Sequence, residues 1–491
     1  MHLYFLLYLQ VLINSAMNFS YGKIAFIIFC LSVSFSQAVL AEEKDYLESP
    51  IPETWQIRQQ YFQTLPCDDQ WWNSFNDPVL SELINKAVKN NFNIASALKR
   101  IEMASKEIGM AKANYYPTIS LSAGYTKEQE SGKLYNYDSE RIKSSYFSLG
   151  ASMSWEIDVF GRVYSNVKEK KAAYNVARAD YDAVMVSLCA SVATAYMELR
   201  TYEEELRVAK QHIESQKEVC KITEARFNAD LGNMLDVTQA RVVLYETEAT
   251  LPTLEANVNT MKNSLALLVG EYPGQIHELL DSNNTSLPVY QQTVDVGIPG
   301  ELLRRRPDIV EAEMELAEYA AAVGVAKKDF LPTLSITGDI GTASHNGKNL
   351  FTKNSLEYSI APQLSWTLFE GLSRNYALSE SKLQLESAVD QYNLTVMTAV
   401  QEVDNALISY ASLLNAIELQ SRVVEESKKS MELSFELYRS GLTMFTNVVD
   451  GQISWLTNQN TLVEMQGEAL SALVNIYKAL GGGWQSFEHK N

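Results

Sequence analysis

The side chains that most often do chemistry in proteins are sparse and scattered in this chain. The five histidines are His2, His212, His277, His345 and His489, and no pair of them has the spacing of a metal site. No serine lies in a nucleophile elbow, and no glycine-rich loop could hold a phosphate. The acidic residues are spread along stretches with a helical period. The sequence therefore predicts that the chain is not an enzyme and holds no metal or cofactor.

The four cysteines do not indicate a disulfide framework. Cys30 lies in an N-terminal apolar stretch, which leaves Cys67, Cys189 and Cys220, an odd number. Cys220 falls on an apolar helical stripe and is expected to be a small core residue. The formal net charge is −19. This charge disfavours nucleic acid as a partner.

The N-terminus has the pattern of a secretory signal peptide. A charge-free apolar run from residue 24 to residue 39 follows Lys23, and Ala41 suits the general signal peptidase. Residues 1–41 are therefore expected to be removed, whether translation starts at Met1 or at Met17. Phe29 precedes Cys30 where a lipoprotein signal needs a small residue, so we expect no lipid anchor. An extended N-terminal segment follows over residues 42–70.

Residues 117–157 alternate apolar and small polar side chains and predict a β-hairpin. The apolar residues take the odd positions from Ile119 to Tyr125 and from Phe147 to Ile157, whereas serine, threonine and glycine take most even positions. An ordinary half-buried sheet would show the same alternation. The pattern alone therefore predicts one apolar and one polar face.

The hairpin occurs twice, because residues 332–337 (PTLSIT) repeat residues 117–122 (PTISLS) and open a second hairpin over 332–368. Most of the remaining sequence has a helical period, so one chain supplies only four strands. Four strands cannot close a barrel, and closure requires several chains. A barrel that is apolar outside and polar inside is the membrane-spanning β solution, since a bilayer tolerates no open sheet edge.

Each hairpin is followed by a long helix and a returning helix. The long helices are predicted over 161–229 and 372–440, and the returning helices over 235–268 and 445–480. An apolar heptad stripe from Val192 to Phe227 recurs from Val403 to Tyr438. A structural coiled-coil rod would show the same stripe, but a rod has no use for lipid-facing strands.

The chain is therefore divided into two structural repeats. The first extends over 71–275 and the second over 301–485, with a linker at 276–300 and a C-terminal tail at 486–491. The second repeat is expected to start its helix at Arg306, Pro307 and Asp308.

The chain resembles the TolC-type outer-membrane efflux proteins, and within them the OprM-like branch. Four groups of residues in the family's order carry the resemblance: Trp71, Trp72, Phe75, Asp77 and Pro78; Trp155, Glu156, Asp158, Phe160 and Gly161; Leu303, Arg305, Arg306, Pro307, Asp308, Ile309, Ala312 and Glu313; and residues 477–484 (YKALGGGW). The sequence departs from the branch in lacking a lipidation site and in having Asp230 where the family usually has glycine.

The resemblance implies a mainly α fold with a β-barrel portion. Three chains would form a homotrimer with a 12-stranded barrel of transmembrane β-strands in the outer membrane of a Gram-negative bacterium. This barrel would continue into a periplasmic α-helical tunnel. The implied function is a passive exit duct for drugs or other small molecules, which an inner-membrane pump of the RND type delivers through a periplasmic adaptor protein. A duct of a type I protein secretion system is the alternative, because a tunnel does not reveal its cargo.

Specific residues follow from this architecture. The lipid-facing barrel residues are expected to include Leu149, Met153, Ile336 and Leu364. The polar connections at 127–141 and 344–353 are expected to face the cell exterior, since the other ends of the strands continue into helices.

The resemblance also implies a closed aperture at the periplasmic helix tips. Its ring carboxylate matches Asp450 and its apolar constriction matches Thr446, with Asp236 of the first repeat near the same level. Alternatively, Asp450 and Asp236 only stabilise the starts of their helices. The adaptor is expected to contact the tips at Leu231, Gly232, Gly441 and Leu442.

Overall fold

The computed structural model describes residues 47, 49–56, 61–63, 70–130, 142–281, 287–288 and 294–485. The predicted signal peptide, Cys67, the C-terminal tail and most of the first exterior connection lie outside the described residues. The described residues from 51 onwards form one compact unit.

Long helices account for most of the described chain. The longer helices are α1 (Pro78–Asn90), α2 (Phe92–Ala113), α3 (Arg162–Asn228), α4 (Met234–Leu268), α5 (Pro307–Lys328), α6 (Ser373–Arg439) and α7 (Phe445–Ala479). The strands are β1 (Phe62–Gln63), β2 (Thr118–Glu130), β3 (Ile142–Ile157), β4 (Val294–Asp295), β5 (Thr333–Ser344) and β6 (Leu356–Ser365). Short helical turns lie at Trp71–Phe75, His277–Asp281, Pro299–Glu301, Leu302–Arg305, Gly347–Asn349 and Lys353–Ser355.

The two repeats match in length, helix by helix. Helices α2 and α5 have 22 residues each, α3 and α6 have 67, and α4 and α7 have 35. At 1.5 Å per residue, α3 and α6 are each about 100 Å long. Each pairs with its returning helix, while α5 packs on both α3 and α6. The second repeat is therefore interlocked with the first.

Helix α1 starts and ends as its sequence dictates. Asp77 precedes Pro78 and accepts hydrogen bonds from the backbone N–H groups of Val79 and Leu80, which caps the helix. Asn91 interrupts the helical run and caps α2 through the N–H of Asn93. Trp71 is buried before α1 and stacks on Tyr477 with ring centroids 5.1 Å apart.

Equivalent residues tie the end of each returning helix to the start of a shorter one. The Asn91 Nδ2 atom donates to the carbonyl of Leu268 at 2.8 Å, and the Arg306 Nη1 atom donates to the carbonyl of Ala479 at 2.9 Å. Gly481 follows α7 with a φ of 68°, and a Cβ there would lie 2.7 Å from the carbonyl oxygen of Arg305. Only glycine fits this contact.

Most of the apolar stripe of α3 is buried between Val192 and Cys220, Ala195, Tyr202 and Leu206 are half-buried, and Phe227 near the tip is 40% exposed. Helix α3 also buries a second stripe, which includes Tyr196, Arg200 and His212. A heptad pattern predicts a single partner helix, whereas α3 contacts several helices, among them α2, α4, α5 and α7. One stretch of α3 is long and apolar enough to cross a membrane, but more than half of that stretch is buried in the molecule.

The N-terminal segment is attached to the linker between the repeats. Strand β1 pairs in parallel with β4, the Trp55 Nε1 atom donates to the carbonyl of Gly297 at 3.0 Å, and the rings of Phe62 and Tyr410 are 6.3 Å apart. The sequence predicts an extended segment over 42–70 and a linker over 276–300. Within that linker the structure has a short helix at His277–Asp281 and the strand β4.

Strands β2, β3, β5 and β6 form one antiparallel sheet in that order. The first hairpin thus pairs with the second through β3 and β5, with Ala151 opposite Ile340. Strands β2 and β6 are the two edges.

Candidate functional site

The register gives the sheet one apolar face across all four strands. Ile119 pairs with Met153, Leu149 with Thr342, and Leu334 with Leu364. Paired residues point to the same side of a sheet and every second residue shares that side. Leu149, Met153, Ile336 and Leu364, which were predicted to face lipid, therefore all lie on this apolar face.

The opposite face of the sheet is polar. It carries mainly serine, threonine and glycine, together with Glu128, Glu156, Asp339 and Glu357. Gly150 and Gly341 lie opposite each other on this face, and a Cβ at Gly341 would be 2.9 Å from the Leu149 carbonyl oxygen. These two glycines allow β3 and β5 to approach closely.

The two junctions between the sheet and the helices are alike, and each contains a tryptophan at the matching place. The Trp155 Nε1 atom donates to the carbonyl of Tyr115 at 2.9 Å, and the Trp366 Nε1 atom donates to the carbonyl of Phe330 at 3.0 Å. Each bond joins the end of a hairpin to the helix that leads into it. The Trp residues lie at the helix-proximal end of the sheet.

The two carboxylates that end the first hairpin have structural roles. Glu156 forms an ion pair with Arg162 at 2.8 Å. The Asp158 carboxylate accepts hydrogen bonds from the backbone N–H groups of Val163 and Tyr164 and so caps α3. The sequence motif around Trp155 thus fixes how the sheet enters the long helix.

The two helix tips have the same turn. The N–H of Leu231 bonds to the carbonyl of Arg226 at 2.8 Å, and the N–H of Leu442 bonds to the carbonyl of Leu437 at 2.9 Å. Asp230 adopts a φ of 59° where Gly441 has 74°. Asp230 therefore takes the left-handed position of the C-terminal turn, and the departure from the family's glycine leaves its geometry unchanged.

A network that the sequence did not predict joins the two tips. The Tyr438 hydroxyl donates to the Asp236 carboxylate at 2.8 Å. The Arg226 guanidinium lies 4.9 Å from the centroid of the Tyr438 ring and donates to the carbonyl of Arg439 at 2.6 Å. Burial and the Asp236 carboxylate raise the pKa of Tyr438 to about 12. Asp236 is therefore bound to the second repeat, and it also lies in the first turn of α4, whose N-cap is Asn233.

Asp450 is not a capping residue. Helix α7 begins at Phe445, its first turn has no acidic residue, and Asp450 lies in the second turn. The side chains of Asp450 and Thr446 are both exposed. The alternative that Asp450 stabilises the helix start is wrong, because the helix begins one turn earlier than that role requires.

Beneath the tips lies a small core shared by both repeats. Ile213, Cys220, Leu244, Phe445 and Val448 are buried together. Cys220 is a core residue, and burial raises the pKa of its thiol. At the tip surface, Leu231 and Leu442 are 67% and 74% exposed.

An antiparallel sheet that is apolar on one face, polar on the other and continuous with helices of about 100 Å defines an outer-membrane channel subunit. A model of the outer membrane efflux protein family matches residues 83–271 and 298–482. The chain therefore belongs to the outer membrane efflux protein family. The predicted resemblance is confirmed.

Curated relatives and solved structures agree with this assignment. Nodulation protein T of Rhizobium leguminosarum bv. trifolii is 27% identical over 84% of this chain and 88% of its own. The toluene efflux pump outer membrane protein TtgI of Pseudomonas putida is 29% identical over 84% of this chain and 86% of its own. The structure of the outer-membrane channel OprN has a TM-score of 0.82 at 29% identity and covers 89% of this chain and 98% of its own.

TtgI is named as the outer membrane protein of a toluene efflux pump, and the OprN structure is that of an outer-membrane channel. The fold class, mainly α with a β portion in duplicated units, is confirmed. The protein is an outer-membrane component that extends into the periplasm. Its relatives are channel proteins rather than enzymes.

Proposed function

We propose that three copies of this chain form a passive exit duct for small molecules. The observation that carries the proposal is the four-stranded amphipathic sheet with two unpaired edges. An open edge is unfavourable in a bilayer, and pairing β6 of one copy with β2 of the next removes it. Three copies would give a closed 12-stranded barrel, apolar outside and polar inside.

The long helices support a ring of copies independently. Helices α3 and α6 have equal lengths, so residues can be matched position by position. Val186, Met197 and Val208 of α3 are 7%, 0% and 0% exposed. Their counterparts in α6 are Met397, Ile408 and Leu419, which are 66%, 45% and 62% exposed.

The difference has a simple physical origin. Helix α3 is covered by α5 and α7 of the second repeat. Helix α6 contacts α5, α7 and the N-terminal segment, but among the described residues it does not pack extensively on the long helices of the first repeat. The first repeat of a second copy would cover the exposed stripe of α6. Repeating this contact around an axis generates a closed ring.

The cargo we propose is small organic molecules delivered by an RND-type pump through an adaptor. The relatives named for toluene efflux, solvent efflux and pyoverdine export support this class of cargo. The adaptor would dock on the exposed tip residues Leu231 and Leu442 and on the turns at Gly232 and Gly441, since exposed apolar patches at the end of a helix pair favour a protein partner.

We propose that Asp450 lines the periplasmic aperture. Three exposed carboxylates around the axis would form a negative ring that favours cations. Thr446, one turn before Asp450, is small and polar, so the carboxylate ring would contribute most of the closure. Asp236 would act at the same level by holding Tyr438 and so joining the two tips of each subunit.

Cells test the cargo and the orientation together. Deletion of the gene should raise the accumulation of a fluorescent drug, and expression of the wild-type chain should restore efflux. A cysteine at Asn346, in the exposed β5–β6 connection, should react with an impermeant thiol reagent in intact cells. Unchanged drug accumulation together with loss of a secreted protein would favour the protein secretion duct. Labelling of Asn346→Cys only after permeabilisation would contradict the orientation.

A further inference from the structure

The charged residues of the sheet are separated by face. Lys127 and Lys143 lie on the apolar face, opposite Ser145 and Gln129 respectively. On the described strands, the carboxylates at Glu128, Glu156, Asp339 and Glu357 all lie on the polar face. The apolar face is thus free of carboxylates and carries two cations, although the whole chain has a formal net charge of −19.

The two lysines lie beyond the apolar band, at the end of the sheet away from the helices. The rings of Tyr125 and Phe147 form a pair at 4.8 Å on the apolar face, and the lysines follow directly after it. Trp155 lies at the other end of β3. The stretch from Trp155 to Phe147 is about 26 Å along the strand, or about 20 Å along the barrel axis at a strand tilt of about 35–45°. Aromatic residues flank the apolar band of a membrane barrel, which is about 25 Å tall.

The geometry suits the two lysines to one shared ligand. Lys127 and Lys143 are diagonal cross-strand neighbours, so their Cα atoms are about 7–8 Å apart. Both side chains are exposed, and neither forms an ion pair with any residue that the structure describes. Long lysine side chains can extend along apolar surface and place their ammonium groups in the polar layer.

The connection between β5 and β6 packs on this end of the sheet. His345 Nδ1 lies 2.6 Å from the carbonyl oxygen of Ser145. A Cβ at Gly347 would contact the Phe147 ring at 3.8 Å. The β5–β6 connection therefore packs on the end of β3, and its exposed residues Lys348 and Lys353 add positive charge at the same end of the sheet.

We propose that Lys127 and Lys143 form a binding site for the phosphate groups of anionic lipids at the outer surface of the outer membrane. This inference rests on the proposed barrel, which places the apolar face against lipid. A lipid is the favoured occupant because the cations continue a surface that is itself lipid-facing, so one molecule can contact the apolar face with its chains and the lysines with its phosphate. The site would hold the barrel at the level of the lipid headgroups, although the chain as a whole is acidic.

The test compares lipid binding by four forms of the full-length protein. They are the wild type, Lys127→Gln/Lys143→Gln, Lys127→Arg/Lys143→Arg, and a control with the same charge change, Lys217→Gln/Lys221→Gln. Lys217 and Lys221 are exposed on α3, far along the chain from the sheet. The probes are diphosphorylated lipid A and the same glycolipid without phosphates, each mixed into phosphatidylcholine nanodiscs, with retained glycolipid counted per subunit by native mass spectrometry.

Each lysine near an anionic surface contributes about five-fold to binding, so the glutamine pair should weaken retention of the phosphorylated glycolipid about 30-fold. The arginine pair and the α3 control should bind it like the wild type. The glycolipid without phosphates should bind all four forms equally. Equal retention of the phosphorylated glycolipid by the wild type and the glutamine pair would overturn the inference, as would an equal loss in the α3 control.

A conductance recording separates this inference from the proposed function. All four forms should open channels in bilayers of phosphatidylcholine alone. If the wild type forms no channels there, the proposed duct fails. If channels form and the glutamine pair still binds the phosphorylated glycolipid fully, only the lipid site fails.

Discussion

The position of Asp450 within α7 decides whether its carboxylate caps the helix or is free to line an aperture. A capping acid belongs to the first turn, where free N–H groups are available, and Asp450 lies one turn further on. Its side chain is exposed and is therefore available to an aperture formed by several copies. The tip of the first repeat differs, because Asp236 is already bound by the Tyr438 hydroxyl.

Asp450→Ala should raise the resting conductance and weaken cation selectivity. The variant removes one negative charge per subunit at an exposed helical site, so stability should change by less than about 0.5 kcal/mol. Asp236→Ala is the matched variant, because it breaks a described hydrogen bond and should destabilise the tip by about 1 kcal/mol. Planar-bilayer recordings and thermal unfolding check both. Unchanged selectivity with a lower melting temperature in Asp450→Ala would contradict the aperture.

Glu205 on α3 gives the helical region a pH dependence. Burial, and then the charge of Glu464, raise the pKa of Glu205 to about 7 from its ordinary value of 4.5. Between pH 4.5 and about 7, Glu205 is therefore protonated in the folded protein and ionised in the unfolded chain. The resulting stability is complete below the ordinary pKa and is lost as the pH rises through about 7.

Glu205→Gln should accordingly raise the melting temperature at alkaline pH and have little effect at acidic pH. Glu218→Gln is the control, because Glu218 is exposed on the same helix and pairs with Lys221. Thermal unfolding across a pH series checks both variants. A pH-independent effect of Glu205→Gln would contradict the role of this carboxyl group.

At the scale of secondary-structure elements, the junctions between returning and shorter helices depend on close backbone contact. Gly481 has positive φ and lies against the backbone at Arg305, whereas a Cβ added at Gly324 inside α5 would have no atom within 4 Å. Gly481→Ala should therefore destabilise the protein by more than about 2 kcal/mol. Gly324→Ala should stabilise it by about 0.5–1 kcal/mol, since alanine favours a helix. Thermal unfolding measures both, and equal effects would show that the junction tolerates a Cβ.

The two faces of β3 should differ in their tolerance of charge. Leu149→Arg places a cation on the apolar face and should cost about 2–4 kcal/mol near the bilayer midplane. Ser148→Arg, one residue away on the polar face, should assemble and alter conductance. The yield of folded oligomer from outer-membrane extracts measures the difference, and equal yields would mean that the faces are assigned incorrectly.

The hairpins and the start of α1 were predictable from the sequence because each has a recognisable local pattern of residues. The alternation from Ile119 to Tyr125 and the recurrence of PTISLS as PTLSIT were sufficient for the hairpins, and Asp77 followed by Pro78 was sufficient for the start of α1. The contacts between distant residues were not predictable in this way. Arg226 reaches the Arg439 carbonyl 213 residues away, and no local pattern marks that pair.

The different exposure of matched residues in α3 and α6 could not be predicted from local sequence patterns either. Val208 and Leu419 are both apolar at matched positions of equal helices, yet one is buried and the other is exposed. Their sequences do not reveal which helix is covered within the chain and which awaits a second copy. The packing of α5 and α7 on α3 distinguishes the two helices.

At the scale of the whole molecule, the sheet and the helices both need further copies of the chain to cover their exposed surfaces. Among the described residues of one chain, neither the two edges of the sheet nor the exposed stripe of α6 has a partner. A closed ring of three copies satisfies both at once and leaves the polar face of the sheet around a central space. The central claim is therefore that this polar face lines a water-filled pore.

Single-channel conductance of cysteine variants tests this claim most directly. Ser148→Cys and Leu149→Cys are adjacent on β3, and both described native cysteines, Cys189 and Cys220, are buried. A charged, water-soluble thiol reagent should reduce the conductance of Ser148→Cys channels and leave Leu149→Cys channels unchanged. Modification of Leu149→Cys with no effect on Ser148→Cys, or the absence of channels from the unmodified protein, would contradict the account.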